Sequence, residues 1–153
     1  GVRLVGSEMC IRDRLHPEGE DHILNGVDFC FLPRLEALLR EFPRVKIVIS
    51  SSWREHLRYK TLMKPFSSDI RARILGMTPY PGCGLPPPYR PREGEILAWL
   101  QLHDAVDEPW VALDDAYWQF DRCMDHLVVC GSFTGFDDKA SSELRARFEG
   151  ASR

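Results

Sequence analysis

Residues 45–54 read VKIVISSSWR, and the fold turns on them. VKIVIS is a short β-branched apolar run without polar alternation, the pattern of a strand buried on both faces. Upstream, residues 28–42 (DFCFLPRLEALLREF) repeat Phe31, Leu32, Leu35, Leu38, Leu39 and Phe42 at helical spacing, and Pro43 closes the segment. A helix that feeds a doubly buried strand predicts a parallel α/β sheet. Downstream, residues 50–66 return to helical spacing, with the serines at the strand exit available as N-caps.

Further along, residues 76–92 (GMTPYPGCGLPPPYRPR) are crowded with glycine and proline and predict an irregular loop. Glu93 to Leu102 then reads as an amphipathic helix, and PWVALDD (109–115) as an apolar strand ending in paired acids. HLVVC (126–130) predicts another short strand, residues 131–136 a loop, and Asp138 to Phe148 a last helix. This order suits a doubly wound sheet, in which ligands bind outside the carboxyl ends of the strands.

Composition narrows the function classes. The 153 residues, 44% of them apolar, suffice for one domain with a sizeable core. A net charge of −3 gives no global attraction to nucleic acid or anionic membrane, so phosphate binding must come from local geometry. Five cysteines (Cys10, Cys30, Cys83, Cys123, Cys130) form no CxxC pair, which argues against a disulfide framework or a disulfide-linked partner and for a reduced cytoplasmic setting. No apolar run approaches the roughly 20 residues that span a bilayer, and no membrane association is expected. His16, His22, His56, His103 and His126 show no zinc-binding spacing.

Two strand exits carry polar residues. After VKIVI, the hydroxyls of Ser50, Ser51 and Ser52 either cap the next helix or hold a phosphoryl oxygen together with its first N–H groups. After VAL, adjacent carboxylates at Asp114 and Asp115 repel one another unless a cation or donor compensates, so they form either a solvated turn or a magnesium site. Arg90 and Arg92, at the start of the preceding helix, either face solvent or offer a planar fork to phosphate. Trp53 and Trp99 read as packing residues. Cys123 and Cys130, without a nearby cluster of basic residues or a helix-start signal, read as small core residues.

Taken together, VKIVISSSWR, PREGEILAWL and PWVALDD resemble the second, third and fourth motifs of haloacid dehalogenase (HAD)-like hydrolases. SSSWR and WVALDD are most similar to the HAD domain of Swiss Army Knife RNA repair-like proteins, over about residues 15–140. The resemblance implies an α/β fold, a Rossmann-like three-layer sandwich with a mainly parallel sheet and no large cap domain. It implies that Ser50 binds the phosphoryl group, that Arg92 fills a position usually held by lysine, and that Asp114 and Asp115 hold magnesium (Mg2+). Ser51 is expected to contact substrate, and Arg54 either does so at the active-site mouth or pairs with an acid of the protein; the substrate is either a phosphorylated small molecule or a nucleic-acid terminus.

Such hydrolases use an aspartate nucleophile at the end of the first strand and a second aspartate two residues on, written DxDG, and pass through an aspartyl-phosphate. Leu15-His16-Pro17 resembles the stretch that follows this motif, and counting back from it puts Cys10 at the nucleophile position, Arg12 at the acid/base position and Asp13 at the glycine. Neither Cys10 nor Arg12 is competent in those roles. VGSEMCIRDR (5–14) resembles translated sequencing-adaptor read-through, so residues 1–14 are expected to be a non-native start and residues 15–150 the domain. Even so, residues near 8–12 are expected to fill the first-strand slot, because an empty central slot would expose the hydrogen-bonding groups of its neighbours. The expected function is thus a magnesium-dependent phosphatase domain that is inactive as given; the alternative is a silent phosphate-binding or interaction module. An ordinary α/β domain with accidental motifs would leave Ser50, Arg92 and Asp114 apart.

Overall fold

Five strands pair in parallel throughout, in the order β3-β2-β1-β4-β5. They are β1 (Arg3–Gly6), β2 (Lys46–Ile49), β3 (Ile74–Met77), β4 (Trp110–Asp114) and β5 (Leu127–Val129). The structure is a computed structural model and describes residues 2–6, 31–50, 59–131 and 134–151. Its helices are α1 (Leu32–Glu41), α2 (Tyr59–Met63), α3 (Ser68–Arg71), α4 (Pro91–Leu102) and α5 (Asp138–Ala151).

The strands are apolar on both sides because both faces of the sheet are covered. Leu4, Ile47, Ile49, Val111, Leu113 and Val128 point into one core with Leu35, Leu38 and Leu39 of α1 and Leu144 and Phe148 of α5. Val5, Val48, Ala112 and Leu127 point the other way, against Ile96, Trp99 and Leu100 of α4. Two helical layers around one parallel sheet make the three-layer α/β sandwich that the sequence predicts, and Trp99 is a packing residue within it. The turn from α1 into β2 is closed by Arg73, whose guanidinium donates to the carbonyls of Leu39 (2.8 Å), Phe42 (2.6 Å) and Val45 (2.9 Å). The guanidinium thus ties the end of α1 and the turn after it to the segment that enters β3.

The structure departs from the sequence reading at four points, one of them the short helix α3, which the sequence reading did not include. The first-strand slot is filled by Arg3–Gly6, several residues earlier than the expected 8–12. A strand that the periodicity did not reveal, β3, lies where the loop from residue 76 was expected to begin. The helical reading of 50–66 survives as α2, while residues 51–58 lie outside the described residues. Among the described residues no helix is long and apolar enough to cross a membrane.

The chain builds outward from β1 through β2 to β3, then returns to place β4 on the other side of β1. The topological switch therefore falls between β1 and β4, where an open α/β sheet offers a crevice at its carboxyl edge.

Candidate active site

Ser50 leaves β2 with its N–H donating to the Gly6 carbonyl at 2.8 Å, so the ladder beside β1 runs on by one residue. Alternation along β2, with Ile49 in the α1 core and Val48 in the α4 core, turns Ser50 to the α4 side. Asp114 follows Ala112 on the same side of β4. Ser50 and Asp114 are 1% and 2% exposed. They flank β1, two strand spacings or about 10 Å apart.

Arg92 closes that gap. It stands in the first turn of α4, and its Nη1 lies 3.2 Å from the Ser50 carbonyl oxygen and 3.4 Å from Asp114 Oδ2. The three residues singled out from sequence therefore meet at one carboxyl edge of the sheet, across the end of its central strand. Asp115 continues from Asp114 and is also buried. Burial pushes the Asp114 carboxyl up to about 6; Arg92 and the N–H of Ala116, which donates to Oδ1 at 2.9 Å, oppose the shift, and Asp115 adds to it. Among the described residues, the Ser50 hydroxyl is buried without a hydrogen-bond partner.

The family model for the HAD domain in Swiss Army Knife RNA repair proteins matches residues 9–140. The chain belongs to this family. No curated protein and no solved structure matches it.

Two residues of this HAD domain escaped the sequence reading. Thr78 leaves β3 with its N–H on the Ile49 carbonyl at 3.0 Å, and its buried hydroxyl, like that of Ser50, has no partner among the described residues. It follows Gly76, where a Cβ would lie 3.8 Å from Trp99 Nε1, so Thr78 shares the α4 side with Ser50 and Asp114. Only recognition of β3 would have revealed it. Glu93, next to Arg92, is fully buried. Its Oε1 accepts from the N–H groups of Arg90 (2.9 Å) and Arg122 (3.4 Å), and its Oε2 from those of Asp121 (2.9 Å) and Cys123 (3.0 Å). Burial raises its pKa, but the four donors outweigh burial and hold the carboxyl below its usual range. The signal was present: Glu93 stands at the third helical position of α4, where a glutamate reaches back to the cap N–H.

Glycine lets the preceding loop lie flat on α4. A Cβ on Gly94 would come within 2.6 Å of the Leu85 oxygen, and one on Gly84 within 2.5 Å of the Glu95 nitrogen. Arg92 is thus held by a helix end pinned on two sides, by this loop and by the Glu93 carboxylate.

Asp114 and Asp115 suit a hard cation such as magnesium, which takes one or two carboxylates plus waters and phosphate. Adjacent buried acids, one ionising only near pH 6, are the condition a divalent cation relieves. Among the described residues no group of three or more metal-ligating side chains gathers, and Asp114 with Asp115 is the donor pair they offer at this edge. Burial and Glu93 push the Cys123 thiol up to about 11, which leaves it an inert core residue. Cys10, Arg12, Ser51, Arg54 and Trp53 lie outside the described residues.

Proposed function

We propose that this HAD domain grips the phosphoryl group of a phosphomonoester at the end of β1, and that it descends from magnesium-dependent phosphatases but is silent as given. The observation that carries this reading is the bridge made by Arg92 between Ser50 and Asp114. A guanidinium fixed at that point supplies the positive charge a phosphoryl oxygen needs, and the unpartnered Ser50 hydroxyl supplies a donor beside it. Asp114 and Asp115 would hold magnesium, which when bound neutralises charge on the phosphate. Ser51 and Arg54 are proposed to meet the substrate from the next segment.

Turnover needs a carboxylate nucleophile and a second group that exchanges a proton with the leaving group and with water. Residues 1–14 contain one aspartate, Asp13, and one glutamate, Glu8. No pair of aspartates in the DxD spacing exists there, and a permanent cation at Arg12 cannot shuttle a proton. The substrate should therefore bind and stay intact.

Calorimetry with p-nitrophenyl phosphate, with and without magnesium, tests both halves. Binding should weaken about 10- to 100-fold in Arg92→Ala, the worth of a hydrogen bond to a charged group, with no nitrophenol released by either protein. Unchanged binding in Arg92→Ala would place the phosphate elsewhere, and magnesium-dependent release by the parent would overturn the silent reading.

A further inference from the structure

Thr78 carries a second unpartnered hydroxyl at the carboxyl edge, and the sheet register fixes where it stands relative to the first. Ile49 pairs with Met77, and the Thr78 N–H donates to the Ile49 carbonyl at 3.0 Å. Ser50 and Thr78 are therefore level on adjacent strands, about 5 Å apart at Cα. Both side chains leave the sheet on the α4 side, since Val48 and Gly76, two residues before them, face α4. Ser50 is 1% and Thr78 4% exposed, and neither hydroxyl has a hydrogen-bond partner among the described residues. Buried polar side chains nearly always have one. Two neighbouring exceptions on one face, at the edge where an open sheet binds ligands, point to a guest that supplies the partner.

Thr78 is placed firmly enough to select such a guest. β3 fixes its backbone, and the segment beyond it is tied to α4, where the Leu85 N–H donates to the Gly94 carbonyl at 3.0 Å. That segment thus runs from Thr78 to the helix turn that carries Arg92. Along the edge, the phosphoryl site spans β4, β1 and β2, and Thr78 lies one strand further on. A phosphoryl group at the end of β1 is two strand spacings, about 10 Å, from the line of β3, too far for its own oxygens to meet the Thr78 hydroxyl. The partner for Thr78 must come from the alcohol that the phosphate esterifies.

The chemistry of the two side chains narrows that alcohol. Hydroxyls are neutral and can donate or accept. Arg92 is already committed to Asp114 and to the Ser50 carbonyl. Burying a second anion against neutral hydroxyls is costly, whereas a hydroxyl of the ligand satisfies them without bringing charge. We infer that Thr78, beside Ser50, forms a subsite for a hydroxyl group of the esterified alcohol, so that the site takes a polyol or sugar phosphate in preference to the phosphate of a simple alcohol. The inference rests on the phosphoryl-site reading above and names its substrate class.

The test is calorimetry of the full chain with two probes of similar size, glycerol 3-phosphate, which carries free hydroxyls, and n-propyl phosphate, which carries none. The parent should bind glycerol 3-phosphate more tightly. Thr78→Val keeps the side-chain shape and should lower the ratio of the two affinities about 3- to 10-fold, the worth of one neutral hydrogen bond. Thr78→Ser should restore the ratio, and unchanged unfolding midpoints would show both variants intact. No preference in the parent, a ratio unchanged in Thr78→Val, or an equal loss for both probes would overturn the inference while the phosphoryl site stands. If neither probe binds the parent, or if Arg92→Ala binds both as the parent does, the phosphoryl-site reading fails and the subsite falls with it.

Discussion

Replacing Glu93 by glutamine tests the clasp that sets the site. The four N–H donors divide two and two between the carboxylate oxygens, with Arg90 and Arg122 on Oε1 and Asp121 and Cys123 on Oε2. Glutamine keeps the shape but offers one oxygen, and its NH2 group turns a donor toward two donors. Two amides then lose their acceptor in the interior at about 1–3 kcal/mol each, and the surviving bonds lose their charge assistance. The expected loss is about 4 kcal/mol, a large share of the roughly 5–15 kcal/mol that a domain possesses. Urea unfolding at neutral pH reads the total, and hydrogen exchange should show the amides of Asp121 and Cys123 opening faster than those of β4. A loss below about 1 kcal/mol, or unchanged exchange at those amides, would mean that the carboxylate does not hold the loop.

Opposite pH signatures follow from Glu93 and Asp114, two of the buried acids. Glu93, held below its usual range, contributes stability that is present above about pH 4.5 and lost as pH falls through its folded pKa. Asp114, raised from 3.8 to about 6, takes up a proton on folding, so it costs stability as pH rises between those values, by about 3 kcal/mol once fully ionised. In metal-free buffer Asp114→Asn should therefore gain on the parent between pH 4 and 6.5, and urea midpoints that stay parallel would refute this. Thr78→Val removes an unpartnered buried hydroxyl and should leave stability equal or higher by up to about 1 kcal/mol; a clear drop in melting temperature would reveal a partner for the hydroxyl. Cys10→Asp with Arg12→Asp and Asp13→Gly should create magnesium-dependent release of nitrophenol if the count from Leu15-His16-Pro17 sets the register, whereas Ser7→Asp with Met9→Asp should do so if the strand does. Silence of both in folded protein would refute the proposed lineage chemistry.

Much of the architecture was legible because burial on two faces writes itself into composition. Ile47, Val48 and Ile49, like Val111, Ala112 and Leu113, are buried on alternating faces of the sheet, and α1, α4 and α5 turn apolar residues toward it, so these elements could be read directly. The candidate site was legible for a related reason: open α/β sheets bind ligands beyond the carboxyl ends of their strands, and Ser50 and Asp114 stand in that position. What escaped was set by contacts distant in sequence. Strand β3 lies at the sheet edge, is only partly buried and contains Gly76, so it lacks the signature of its neighbours. The join between residues near 90 and residues near 120 is made by one carboxylate that accepts from both. No window along the sequence holds it.

The position of the nucleophile shows how the two kinds of reading bear on one another. Counting from Leu15-His16-Pro17 leads to Cys10. The sheet register leads elsewhere: Gly6 pairs with Ile49 and with Leu113, and Ser50 and Asp114 each stand one residue beyond those partners. A first strand continued by one residue would bring position 7, a serine, level with both. The two routes differ by three residues, an odd number, so they place residues of opposite strand faces at the site. Yet neither arrives at a carboxylate, and the residues two further on, Arg12 by one route and Met9 by the other, cannot exchange a proton. The inference of a silent site therefore holds on either of these two routes. The binding half depends on neither route, because Ser50, Arg92 and Asp114 are placed by β2, α4 and β4. A site of this kind would retain its grip on phosphate after losing the group that cleaves it, and for that reason equilibrium binding of an intact substrate is the property to measure first.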